Sequence, residues 1–111
     1  LGDTIGKATP DSIAAMLDAA LAHADAGRLA GHYHDTGGRA LDNIGVSLER
    51  GLRTFDSAVG GLGGCPYAPG AKGNVATGAV VDYVEHRGFS TGIDRTALNE
   101  AEAYVRALTA A

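Results

Sequence analysis

The chain has 111 residues, 45% of them hydrophobic but only 5% aromatic and none Trp, enough for one domain packed mainly by aliphatic side chains and Ala. Nine Lys and Arg against 13 Asp and Glu give a net charge of −4, and with no basic run or stripe no nucleic-acid partner is expected. No apolar stretch approaches the roughly 18–20 residues that span a bilayer, so no membrane partner is expected; no secretory signal is recognisable, and a single Cys fits a reducing compartment.

In chain order, Leu1-Gly2-Asp3-Thr4-Ile5-Gly6 opens without an initiator Met. It reads as the end of a buried strand entering a loop, as in a piece of a longer chain. Thr9-Pro10-Asp11-Ser12 is a helix start. Thr9 can cap, Pro10 suits the first helical position, and Asp11 favours the positive end of the dipole. Ile13, Met16, Leu17, Ala20 and Leu21 recur at helical spacing, which predicts a helix of about four turns ending at Gly27. Leu29 to Tyr33 reads as a short strand entering His34-Asp35-Thr36-Gly37-Gly38. A second helix is expected from Arg39 to Arg50, with Leu41, Ile44 and Leu48 inward and Gly51 at its end.

Arg53 to Val59 reads as another strand, followed by a loop rich in Gly and Pro between Gly60 and Gly73. Asn74 is expected to open a third helix with Val75, Val80, Val81 and Val84 as its apolar stripe and Gly88 as its stop. A last helix is expected from an Asp94 N-cap. Ile93 and Leu98 are placed to form a hydrophobic staple, and Leu98, Ala101, Val105 and Leu108 form its buried face. Short strands alternating with helices argue for parallel βα units. About three such units do not complete a sheet or barrel, because their edges and faces stay uncovered. The pattern is that of the end of a larger (βα) barrel.

The sharpest chemical signal is Gly31-His32-Tyr33-His34-Asp35 at a strand end. Side chains alternate along a strand, so His32 and His34 share a face. Two imidazoles at that spacing can hold one divalent ion, and ligands of parallel α/β folds sit at the C-terminal strand ends. The plainer alternative is two ordinary histidines beside a surface loop. Asp3 also ends a strand; it can orient a ligand, act as a base or hold a substrate hydroxyl, although Asp after a strand is more often a turn residue.

The loop from Gly60 through Gly64-Cys65-Pro66-Tyr67 to Asn74 lacks the Gly-Lys-Ser/Thr of a phosphate loop. Cys65 lies off any apolar stripe, between Gly64 and Pro66. That context suits a thiol carried to a substrate on a closing flap, against the alternative of a surface loop with a free Cys. Asn74 is either a helix cap or an oxygen ligand for a hard cation; one amide oxygen cannot fully serve both.

Taken together, L-G-D-T-I-G at 1–6, G-H-Y-H-D-T at 31–36, L-D-N at 41–43, the run D-S-A-V-G-G-L-G-G-C-P-Y-A-P-G-A-K-G-N at 56–74 and S-T-G-I-D at 90–94 resemble the hydroxymethylglutaryl-CoA lyase family. The resemblance covers nearly the whole chain in order. The Gly-Gly-Cys-Pro-Tyr-Ala loop is its most specific part. Related barrel enzymes that condense acetyl-CoA with 2-oxo acids share an H-x-H and a Gly-Asn, but their loop lacks this Cys.

The resemblance implies a (βα)8 TIM barrel of the pyruvate-carboxyltransferase/HMGL-like kind. Residues 1–111 would form a single partial domain, its C-terminal part: the sixth to eighth strands, or about three βα units plus a C-terminal helix. It implies Mg²⁺ or Mn²⁺ held by His32, His34 and Asn74. It makes Cys65, His32 and Asp3 the catalytic set, with Cys65 closing over the substrate and His32 a candidate for proton transfer. Asp3, Thr4 and Gly64 would contact substrate.

The implied reaction cleaves 3-hydroxy-3-methylglutaryl-CoA to acetyl-CoA and acetoacetate. A base takes the C3 hydroxyl proton, the C–C bond breaks, and the acetyl-CoA enolate is protonated by a thiol or imidazole. The metal serves as a Lewis acid toward that hydroxyl, and the flap excludes water. Gly37 and Arg39 depart from the family's usual aromatic residue and Gln. The family's first-strand Arg-Asp pair is absent; the neighbours of Arg53, Arg87 and Arg95 do not fit that motif.

The expected partners are therefore an acyl-CoA substrate, an N-terminal barrel half and a second copy in a homodimer. Alone, this chain is expected to turn over little. The alternatives are a non-catalytic, self-associating barrel fragment, or a related enzyme condensing acyl-CoA with a 2-oxo acid. A metal-dependent amidohydrolase is a poor fit, because His23 and His86 are expected on helices. Rich Ala, Gly and Arg usage points to a bacterial cytoplasm, or to the mitochondrial matrix if the parent is eukaryotic. The parent pathway, leucine breakdown or ketone-body formation, is open.

Overall fold

The computed structural model describes residues 2–3, 7–35, 37–61 and 73–109. Strand β1 (Gly2–Asp3) leads to helix α1 (Pro10–Leu21). Strand β2 (Ala30–Tyr33), helix α2 (Ala40–Glu49) and strand β3 (Thr54–Asp56) follow. Helices α3 (Thr77–His86) and α4 (Arg95–Thr109) complete the order. The three strands form one sheet in the order β1-β2-β3, parallel throughout, with Gly2 opposite His32, Asp3 opposite Tyr33 and His32 opposite Asp56. This is the predicted α/β arrangement of parallel strands joined by helices.

Local chemistry explains most boundaries. Thr9 and Ser12 form a reciprocal capping box, each side chain accepting from the other's backbone N–H at 3.1 and 2.9 Å, and Pro10 takes the first turn. The helix stops at Leu21, with Ala22 as its C-cap, well before the expected Gly27. The apolar stripe ends there. Ala26 and Leu29 fold back against the core, and a single 3-10 turn at Ala26–Arg28 feeds β2. His23 accordingly lies in a turn rather than on the helix. Gly51 ends α2 at φ +93 as expected, and Arg50 at its end pairs with Asp18 of α1 at 2.9 Å.

β3 is shorter than the Arg53–Val59 expected. After Asp56 the backbone changes partner: the Ala58 N–H donates to the Val75 carbonyl and the Thr77 N–H to the Ala58 carbonyl, both at 3.0 Å. Residues 74–76 are therefore extended, and α3 begins at Thr77 behind an Ala76 N-cap, not at Asn74. Val75, expected on the helix stripe, is instead a buried core residue of this extended stretch. Asp94 caps α4 as predicted, accepting from the N–H groups of Thr96 and Ala97 at 2.9 and 3.1 Å.

The core gathers Ile13 and Leu17 of α1, Tyr33 of β2, Ile44 and Leu48 of α2, Leu52, Val75 and Val84. The expected buried face of α4 is only partly buried. Leu98 is inside, but Ala101 is exposed and Leu108 is 59% exposed. Among the described residues no helix is long and apolar enough to cross a membrane.

Candidate metal and active site

Tyr33 separates the two faces of β2. Its side chain is 1% exposed in the core, which turns His32 and His34 to the opposite face. Their ring centroids lie 5.3 Å apart with the planes at 59°. An ion bonded to one nitrogen of each ring at about 2.1 Å fits that separation. His34 is itself buried, at 7% exposure.

Two backbone links bring the next candidate to this pair. His34 forms an isolated antiparallel bridge with Asn74, and the Asp35 N–H donates to the Gly73 carbonyl at 3.3 Å. Asp35 also accepts from the Ala40 N–H at 3.3 Å, tying the start of α2 to the same strand end. Asn74 thus sits beside the histidines through the backbone and does not cap a helix.

The neighbouring strand adds Asp56. It lies opposite His32 in the parallel register, and its Oδ2 is 3.1 Å from His32 Nδ1. Sequence reasoning did not single it out, although it opens the D-S-A-V-G-G run at a strand end. Just beyond it, Ser57 and Thr77 share a 2.8 Å hydroxyl contact and Ala58 bridges Ala76. Asp3, the last residue of β1, pairs with Tyr33, so its backbone ends level with the histidine pair. Thr4, Gly64 and Cys65 lie outside the described residues, and so does most of the Gly-rich flap.

Among the described residues no group of three His, Cys, Asp or Glu side chains could hold a metal. The backbone bridge sets Asn74, with its amide side chain, next to His34. Nitrogen and carbonyl-type oxygen donors are compatible with a divalent ion of the Mn²⁺ kind. The three arginines outside the family motif are engaged elsewhere. Arg53 donates to the Leu48 and Leu52 carbonyls at 3.1 and 2.8 Å, Arg87 lies over the Tyr83 ring, and Arg95 pairs with Asp82 and Glu102.

Residues 1–105 match the HMGL-like family model. The chain belongs to the HMGL-like family. It is 49% identical over 98 residues to the hydroxymethylglutaryl-CoA lyase of Pseudomonas mevalonii, a match that covers 88% of this chain and 33% of that protein. The crystal structure of the HMG-CoA lyase from Brucella melitensis matches with a TM-score of 0.93 at 68% identity, over 97% of this chain and 38% of that one. A structure of an HMG-CoA lyase from Acinetobacter baumannii in complex with coenzyme A and 3-methylmalate matches with a TM-score of 0.90 at 41% identity, over 97% of this chain and 35% of that one. The HMGL-like chain therefore spans about a third of the relatives it matches, and its α/β fold is theirs.

Proposed function

We propose that this chain is the C-terminal section of a (βα)8 barrel lyase that cleaves 3-hydroxy-3-methylglutaryl-CoA to acetyl-CoA and acetoacetate with Mg²⁺ or Mn²⁺. One observation carries the reading: an H-x-H pair shares one strand face while a backbone bridge draws Asn74 beside it. Family membership and the coenzyme A held by the Acinetobacter relative support an acyl-CoA substrate.

His32, His34 and Asn74 hold the cation, which when bound supplies Lewis acidity toward the substrate's C3 hydroxyl. Asp3, beside that hydroxyl, accepts its proton; His32 can do so only when its Nε2 is not bound to the cation. The C2–C3 bond then breaks, its electrons pass to the thioester as an enolate, acetoacetate departs, and the enolate takes a proton at carbon to become acetyl-CoA. Cys65, on the Gly-hinged flap, supplies that proton or keeps water from the enolate. Asp3, Thr4 and Gly64 line the substrate. The remaining barrel strands contribute the Arg-Asp pair, the active enzyme is a homodimer, and a bacterial cytoplasm is its location.

The test is turnover of 3-hydroxy-3-methylglutaryl-CoA by the full-length protein. His34→Ala should abolish metal-dependent activity, and Cys65→Ser should lose most turnover while substrate still binds. Near-native rates in both variants would refute the assignment.

A further inference from the structure

We propose that Asp56 is a positioning residue for His32, holding the ring in the tautomer that carries its proton on Nδ1 so that Nε2 presents a lone pair to the site. The Nδ1···Oδ2 distance is 3.1 Å. An ionised carboxylate only accepts hydrogen bonds, so Nδ1 must be the donor. A neutral imidazole with its proton on Nδ1 can ligate or accept a proton only at Nε2.

The sheet enforces this pairing. His32 and Asp56 are register partners on adjacent parallel strands, and the two strand ends are tied to the 73–77 segment through Asn74 and Ala58. Asp56 is not a core residue: its side chain is 64% exposed and that of His32 is 44% exposed. An exposed pair of this kind adds little to stability. Its consequence is orientation, because a carboxylate behind a ligating histidine fixes both ring angle and tautomer. Without it, the proton could settle on Nε2 and close the one nitrogen the site needs.

What Nε2 meets rests on the lyase reading; the tautomer itself does not. The experiment uses full-length protein carrying ¹⁵N-labelled histidine. The His32 nitrogens are read by long-range ¹H–¹⁵N correlation in the metal-free state at about pH 8, where a free imidazole is neutral. Mn²⁺ affinity is read in parallel by electron paramagnetic resonance. In the parent protein His32 should carry its proton on Nδ1. Asp56→Ala should shift the proton toward Nε2 and raise the Mn²⁺ Kd by about 10–100-fold. Asp56→Asn, whose amide oxygen still accepts from Nδ1, should recover part of both effects. An unchanged His32 tautomer and unchanged Mn²⁺ affinity in Asp56→Ala would overturn the proposal. If His34→Ala also leaves Mn²⁺ binding intact, the metal reading fails instead, and the tautomer alone decides the role of Asp56.

Discussion

Tyr33 fixes which way the two histidines point, and its own anchoring is testable. Ser47 Oγ donates to the Asn43 carbonyl at 2.8 Å, so the 2.7 Å contact with Tyr33 is a phenol O–H donating to Ser47. Burial raises the Tyr33 pKa above its ordinary value. The unfolded phenol therefore ionises first as pH rises. This contribution to stability is whole below about pH 10 and is lost as pH climbs through the folded-state value. Tyr33→Phe should cost about 1 kcal/mol near neutrality and make the alkaline loss of stability shallower, as read by urea melts between about pH 8 and 11. A parallel alkaline limb in both proteins would contradict the anchoring.

At this scale His32 and His34 were legible, because strand alternation is a local rule. Asn74 was legible as a neighbour of the histidines only through the family resemblance, not from any local pattern. Its place depends on an antiparallel bridge to a residue 40 positions earlier. The partnership of Asp56 depends likewise on the parallel register, which no local pattern encodes.

At the scale of elements, β2 is held in place by a missing side chain. A Cβ on Gly31 would come within 2.8 Å of the Tyr33 ring and 2.9 Å of the Phe55 ring. Both rings pack on the core, so one of them or the strand must move. Gly31→Ala should destabilise by about 1–3 kcal/mol, the range of an overpacked core, and weaken Mn²⁺ binding, since His32 follows directly. Thermal unfolding and a metal titration check this; unchanged values in both would show that the strand tolerates the methyl group.

Helix starts were read well where a side chain makes the cap, at Thr9 and Asp94. They were misread at Asn74, because α3 starts from an Ala76 cap with no side-chain bond. The end of α1 was misplaced because Gly27 is a weaker signal than the loss of the apolar stripe after Leu21. β3 was overextended because its apolar pattern continues after the ladder has passed to residues 75–77.

At the scale of the whole molecule, the candidate side chains are gathered from three separate segments of the chain. Its histidine pair, Asn74 and Asp56 come from segments that the parallel sheet and its bridges bring to one level. Tyr104 and Leu108 on α4 stay 67% and 59% exposed, in a chain that spans about a third of its relatives. The family was legible because its motifs are contiguous runs of sequence. The convergence of those runs was legible only through that resemblance, because it is a property of the sheet.

The most direct measurement is a crystal structure of the full-length protein soaked with Mn²⁺, with the ion located by anomalous scattering. The account predicts one peak bonded to His32 Nε2, a His34 nitrogen and the Asn74 amide oxygen, with Asp56 still against His32 Nδ1. A peak elsewhere, or an ion held without the two histidines, would contradict it.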